Sequence, residues 1–204
     1  MEMPKRFWKW AFEERSKLFE KMREGTIEEG PQMFLGFTRH TPTMITIGQC
    51  GLNGSVKGFG FVPKPEYITE ITDKLLNSIN GPEQDYSERG LKLLSELIYS
   101  LEASRNIDKT RLISLELAFG HTFGNVTGGR SDCTLVYYQP PVTSFEVRGK
   151  VFLYNDGIYK EFANAIHDVF HKPNGERKLK PAYLFEIEKV FDNSVPFFGK
   201  ELNE

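Results

Sequence analysis

The chain of 204 residues predicts an α+β fold with a mainly β core, an antiparallel sheet flanked by helices. Three observations predict it. In 113–119, Ile113, Leu115, Leu117 and Phe119 alternate with Ser114, Glu116 and Ala118, the period of a half-buried strand. Two further runs of strand character, 134–138 and 143–153, follow within 35 residues, as ~3.3 Å-rise strands joined by short turns require. Between these runs lie a glycine-rich interruption, 120–126, and Gln139-Pro140-Pro141, both turn signals.

Taken in order, residues 7–23 read as an amphipathic helix, with Trp8, Phe12, Leu18, Phe19 and Met22 near helical spacing. Gly25 and Gly30-Pro31 end it. Its expected role is packing over one end of the sheet or across a subunit boundary. Met33–Phe37 is a short apolar run. Residues 43–62 read as a hairpin, with strand 43–47, a turn over Gln49–Gly54 and strand 55–62. Gly58 and Gly60 then fall on one face of the second strand, which needs close access for a backbone or a flat ligand. Residues 65–80 and 87–104 are the next helices, the second with Ser87 as N-cap and a Leu91, Leu94, Leu97, Ile98, Leu101 stripe. Together 65–105 form a helical insertion within a single domain, 1–204. Residues 159–170 give a third helix, 182–191 the last strand, and 193–204 an irregular tail.

Composition bounds the function classes. A formal charge of -2 is too balanced for a large nucleic-acid footprint, and the Lys5–Trp10 cluster fits the amphipathic helix better than an RNA site. No run approaches the ~20 apolar residues of a membrane span, and the amino terminus has no signal-peptide core. Cys50 and Cys133 are far apart and unmatched to a CxxC partner, as expected of a cytoplasmic protein, although one long-range disulfide stays open.

Gly58-x-Gly60 is no dinucleotide fingerprint: a third glycine is missing and Val62-Pro63 stops the strand. No Gly-x-Ser-x-Gly elbow occurs. His167 and His171, at i and i+4, share a helical face but lack a glutamate between them and a third ligand at a recognisable spacing. Metal binding there is the minor alternative; no metal is expected. Glu146, Arg148 and Lys150 read as a solvent-facing charge ladder, with Arg148 or Lys57 pairing to a ligand anion as the other reading. In 120–126, the hydroxyl of Thr122, the amide of Asn125 and the imidazole of His121 converge on one turn, where exposed N–H groups suit an anion.

The order of these segments, Gly120-His121-Thr122-x-x-Asn125-Val126, then Thr134–Tyr138, then Phe145-Glu146-Val147-Arg148-Gly149-Lys150-Val151, resembles the pyridoxamine 5'-phosphate oxidase-like FMN-binding split barrels. The likeness covers about half of the chain, and the helical stretch 65–105 is longer than the family's usual link. The resemblance implies an antiparallel split β-barrel, a homodimer, and a flavin-dependent oxidoreductase acting on a small molecule. It places the FMN phosphate at Thr122 and the backbone of Gly120, His121 and Phe123. His121 or Lys57 adds charge, Asn125 orients the turn, and the isoalloxazine lies against Gly58 and Gly60. Family members with a deazaflavin, haem or no cofactor leave those alternatives open, as well as a non-catalytic ligand- or partner-binding role. The resemblance names no catalytic residue.

Overall fold

The computed structural model describes residues 1–27 and 30–203. Eight antiparallel strands form one sheet: β1 (Thr43–Gly48), β2 (Gly51–Val56), β3 (Phe59–Pro63), β4 (Ile107–Leu115), β5 (Ser131–Gln139), β6 (Thr143–Tyr154), β7 (Ala182–Asp192) and β8 (Lys200–Leu202). Their order is β2-β1-β5-β6-β7-β4-β3, with β8 on β7. The two edges, β2 and β3, are consecutive in the chain and joined only by Lys57 and Gly58. Three Cα–Cα steps from Val56 to Phe59 span at most about 11 Å, so the sheet must curl until its edges nearly meet. They do not pair with each other, and the result is a barrel split between β2 and β3, an α+β fold with a β core.

The amino-terminal helix enters this barrel. It runs from α1 (Lys5–Trp8) through a π turn, Lys9–Glu13, into α2 (Glu14–Arg23). Phe7 meets Tyr137 and Phe145 edge-on at 5.5 and 5.3 Å. Trp8 stacks on Phe12 at 4.1 Å, and Phe12 meets Phe61. Phe7, Trp8, Trp10 and Phe12 are buried, so the aromatic part of the Lys5–Trp10 cluster is core. Arg6 pairs with Asp192. The short apolar run 33–37 lies in α3 (Pro31–Phe37).

The stretch 65–105 holds α4 (Pro65–Ile79) and α5 (Tyr86–Leu97). Pro65 opens α4, where its missing N–H costs nothing. Both helices pack on α7 (Gly157–Phe170), and α5 also meets α2. This makes a helical layer continuous with α7 on one side of the sheet.

Several boundaries differ from the sequence expectation. The hairpin is β1–β2, closed by the two residues Gln49-Cys50 between Gly48 and Gly51, so the expected turn at 49–54 is mostly strand. The expected strand 55–62 is two: β2 ends at Val56, and β3 pairs with β4. Gly58 therefore lies in the linker, off the strand that carries Gly60. The strand expected to reach Phe119 stops at Leu115, because Glu116 Oε1 accepts the N–H groups of Ala118 and Phe119 at 2.6 and 2.7 Å and folds the chain into a turn. Leu117 and Phe119 are exposed in consequence. The helix expected over 87–104 is capped at Asp85, not Ser87, and ends at Leu97. A 3-10 turn, Ala103–Asn106, follows. The tail is not wholly irregular, since β8 pairs with β7.

Candidate functional site

Helix α6 (His121–Val126) packs on the β1–β2 hairpin, and Asn125 is the joint. Its Oδ1 accepts the Cys50 N–H at 2.8 Å, and its Nδ2 donates to the Gly51 carbonyl at 2.8 Å and to Thr46 Oγ1 at 3.2 Å. Thr122 Oγ1 accepts from Asn53 Nδ2 and shares a hydrogen bond with Ser55 Oγ, both at 2.7 Å. Two residues beyond Ser55, Lys57 Nζ donates to Glu116 Oε2 at 2.8 Å. Tyr183 donates to the same oxygen. Burial alone would raise the Glu116 carboxyl, but donation from Lys57, Tyr183 and the two backbone N–H groups outweighs it and holds the group below its usual range. Burial first, and then donation to Glu116, push the Tyr183 phenol well above its usual value.

Chain folding thus gathers Lys57, Thr122 and Asn125 at one junction from segments some seventy residues apart. Their polar capacity is spent inside the chain. Thr122 is buried and engaged by two partners, and Lys57 is neutralised by Glu116. A phosphate would have to displace these bonds, so the junction as built does not fit an FMN phosphate. Gly120 and His121 lie exposed at its rim, and Phe123 is half-buried.

Gly58 and Gly60 have another setting. Both line a cavity of about 360 Å³ between the helical layer and the β3–β4 part of the sheet. A Cβ on Gly60 would stand 3.4 Å from Tyr99 Oη, and one on Gly58 would stand 3.9 Å from His40 Cδ2. The walls are mostly apolar and include Phe19, Phe37, Leu94, Ile113, Leu115 and Phe170. A few polar groups reach in: Arg15, His40, Tyr99, Ser114, His167 and His171. That mixture, apolar walls with sparse placed polar groups at this volume, is typical of small-molecule sites.

His167 and His171 stand side by side, ring centroids 5.0 Å apart. Asp168 between them turns to Arg177 at 2.7 Å and to His167 at 3.1 Å. Among the described residues no group of three or more His, Cys, Asp or Glu side chains is placed to hold a metal ion. Arg148 pairs with Glu146 on the surface and lies 4.6 Å over the Phe191 ring. Cys50 is exposed and Cys133 buried, and both are free thiols. No described helix is long and apolar enough to cross a membrane.

The residues that sequence reasoning passed over are Arg15, Tyr99 and Ser114. Arg15 carried a signal. Trp8, Phe12, Arg15, Phe19 and Met22 follow one another at intervals of four, three, four and three, so a cation occupies a position of the apolar stripe.

No protein-family model and no curated protein sequence matches the chain. Among solved structures it is similar to HupZ of Group A Streptococcus, with 12% identity and a TM-score of 0.47 over 82% of this chain and 93% of that one. It is also similar to a candidate pyridoxamine 5'-phosphate oxidase from Lactobacillus delbrueckii, at 16% identity and TM-score 0.41 over 79% and 93% of the two chains. A third similar structure is an FMN-binding protein from Syntrophomonas wolfei, at 13% identity and TM-score 0.40 over 90% and 96%.

Proposed function

We propose that this chain is a small-molecule-binding split-barrel protein whose site is the cavity over Gly58 and Gly60. The carrying observation is the cavity itself: about 360 Å³, apolar and aromatic in its walls, with two positions where the absence of a side chain keeps the floor open. Flavin is the first ligand to test there. The resemblance of the barrel segments implies one, and the isoalloxazine would lie where Gly58 and Gly60 leave room. A bound flavin would supply the redox chemistry of an oxidoreductase, with the chain contributing orientation and exclusion of water. The alternative within the same reading is a non-catalytic binder of another ligand of that size.

A second copy of the chain is the partner we propose for the hairpin. Ile47 and Leu52 face each other across β1–β2 with Val56 on the same face, and they are 65%, 76% and 68% exposed. Such a contiguous apolar patch on a free edge strand invites cover. Light scattering of the wild type and of Leu52→Lys tests it. A dimer that falls to a monomer in the variant supports this contact, and a monomeric wild type removes it.

The ligand test is an absorption spectrum before and after soaking with FMN and desalting, run on the wild type, Gly60→Val and Thr122→Ala. Flavin retained by the wild type and lost in Gly60→Val places it in the cavity. Flavin lost only in Thr122→Ala moves it to the α6 junction. Colourless protein throughout leaves a binder of some other molecule.

A further inference from the structure

The polar groups in the cavity are not evenly matched by the chain. Arg15 is 9% exposed, yet its only hydrogen bond among the described residues is a long one, Nη1 to the Phe59 carbonyl at 3.4 Å. A guanidinium carries five N–H donors and stays charged at any physiological pH. No carboxylate among the described residues lies within ion-pair distance of it. Its other contacts are aromatic faces, Tyr99 at 4.4 Å and Phe19 at 5.8 Å from Cζ. These offset part of the desolvation cost but accept none of its hydrogen bonds. Around it, the Tyr99 hydroxyl has no hydrogen-bond partner among the described residues, and Ser114 Oγ reaches only the Leu115 carbonyl at 3.5 Å. Holding a cation with so little exposure and no carboxylate partner is unfavourable, and the remaining Arg15 donors stay free for a ligand. Both lapses occur in one apolar cavity that has room for a ligand.

We propose that the cavity takes an anionic, otherwise apolar molecule, its carboxylate or phosphate bound to Arg15 and its apolar body lying toward Leu115, Ile166 and Phe170. The inference rests on the cavity being the ligand site, and it adds the charge and polarity of the ligand. Arg15 can meet an oxyanion with two parallel N–H groups, and Tyr99 and Ser114 supply neutral donors beside it. His40 is the other basic group near Arg15. Burial, and then the Arg15 charge, hold it neutral, with its pKa down to about 3, so Arg15 alone provides positive charge at that end.

Two matched pairs of probes test this on the full chain by isothermal titration calorimetry. Octanoate and octan-1-ol differ in a carboxylate, and FMN and riboflavin in a phosphate. The expected result is at least tenfold tighter binding of the anion in one pair, lost in Arg15→Gln and partly kept in Arg15→Lys. The pair that shows it identifies the anion as carboxylate or phosphate. Met22→Trp, on the cavity wall, should weaken both members of that pair and serves if Arg15→Gln does not fold. Equal binding of octanoate and octan-1-ol, together with equal binding of FMN and riboflavin, overturns the anion while leaving the cavity as a site. An anion preference unchanged in Arg15→Gln also overturns it. If no probe binds, both the anion and the cavity reading fall.

Discussion

Lys57 and Glu116 form a buried ion pair, 2.8 Å apart, with side chains 9% and 0% exposed. Glu116 also takes Tyr183 and the N–H groups of Ala118 and Phe119. One carboxylate therefore joins the β2–β3 linker, the end of β4 and the turn leading into α6. Removing one partner of such a pair strands the other charge without solvent. Glu116→Gln should destabilise the protein by roughly 3–5 kcal/mol. Adding Lys57→Met should recover part of that loss, since the stranded ammonium goes with it. Urea denaturation of the two single variants and the double variant reads the coupling directly. Additive losses would mean that the pair is not coupled.

That network also shows what could be read from the sequence and what could not. The alternation from Ile113 to Phe119 is real as a pattern, but period alone cannot reveal that Glu116 points inward and bends the chain after Leu115. Its partners lie at Lys57 and Tyr183, and long-range pairing is absent from a local window. The β-branched and aromatic runs in β1, β5 and β6 were legible because each keeps one face buried over most of its length. Gly58 and Gly60 do line one cavity, but not for the reason of a shared strand face, since β2 ends before Gly58 and β3 begins after it. Arg15 shows the reverse case. Its place in the apolar stripe is visible in the sequence, but its lack of a partner among the described residues emerges only when Phe59 of β3 and Tyr99, just past α5, come together around it.

Gly149 and Gly120 should respond oppositely to a methyl group. Gly149 sits at the irregularity between β6 and β7, where an added Cβ would collide with the Glu186 carbonyl. That contact is backbone on both sides and cannot yield cheaply. Gly149→Ala is expected to cost at least about 2 kcal/mol, in the range of overpacking. Gly120 has nothing within 4 Å of its Cβ position and no positive φ, so Gly120→Ala should stay within about 0.5 kcal/mol of the wild type. Thermal melts of both proteins compare them. Similar losses would contradict the close approach at Gly149.

Asn125 should control the order of the hairpin more than the stability of the barrel. It makes three hydrogen bonds across the α6–hairpin junction. Asn125→Ala leaves the Cys50 N–H and the Gly51 carbonyl without it, at a cost of about 1–3 kcal/mol. The loss should appear locally, as faster amide exchange at Cys50 with little change in β6 and β7. Unchanged exchange at Cys50 would mean that the two-residue turn holds itself.

His40 sets the acid side of the stability profile. Its folded pKa is about 3, against an ordinary value of 6.5, chiefly through burial and then through Arg15. Between these values the unfolded chain binds a proton that the folded chain does not. Stability therefore rises with pH in that window and is lost as pH falls from about 6.5 toward 3. The Glu116 carboxyl, also depressed on folding, adds a loss of the same sign, but only as pH drops below the ordinary carboxylate range near 4.5. The interval between pH 6.5 and 5 thus separates them. His171, which burial and then the His167 charge also hold below its ordinary value, contributes in the same window. His40→Phe should therefore make the decline there shallower without abolishing it, while Glu116→Gln should leave its slope intact. Urea midpoints at pH 7.5, 6 and 5 measure both, and a decline unchanged in His40→Phe would assign the acid sensitivity to another group.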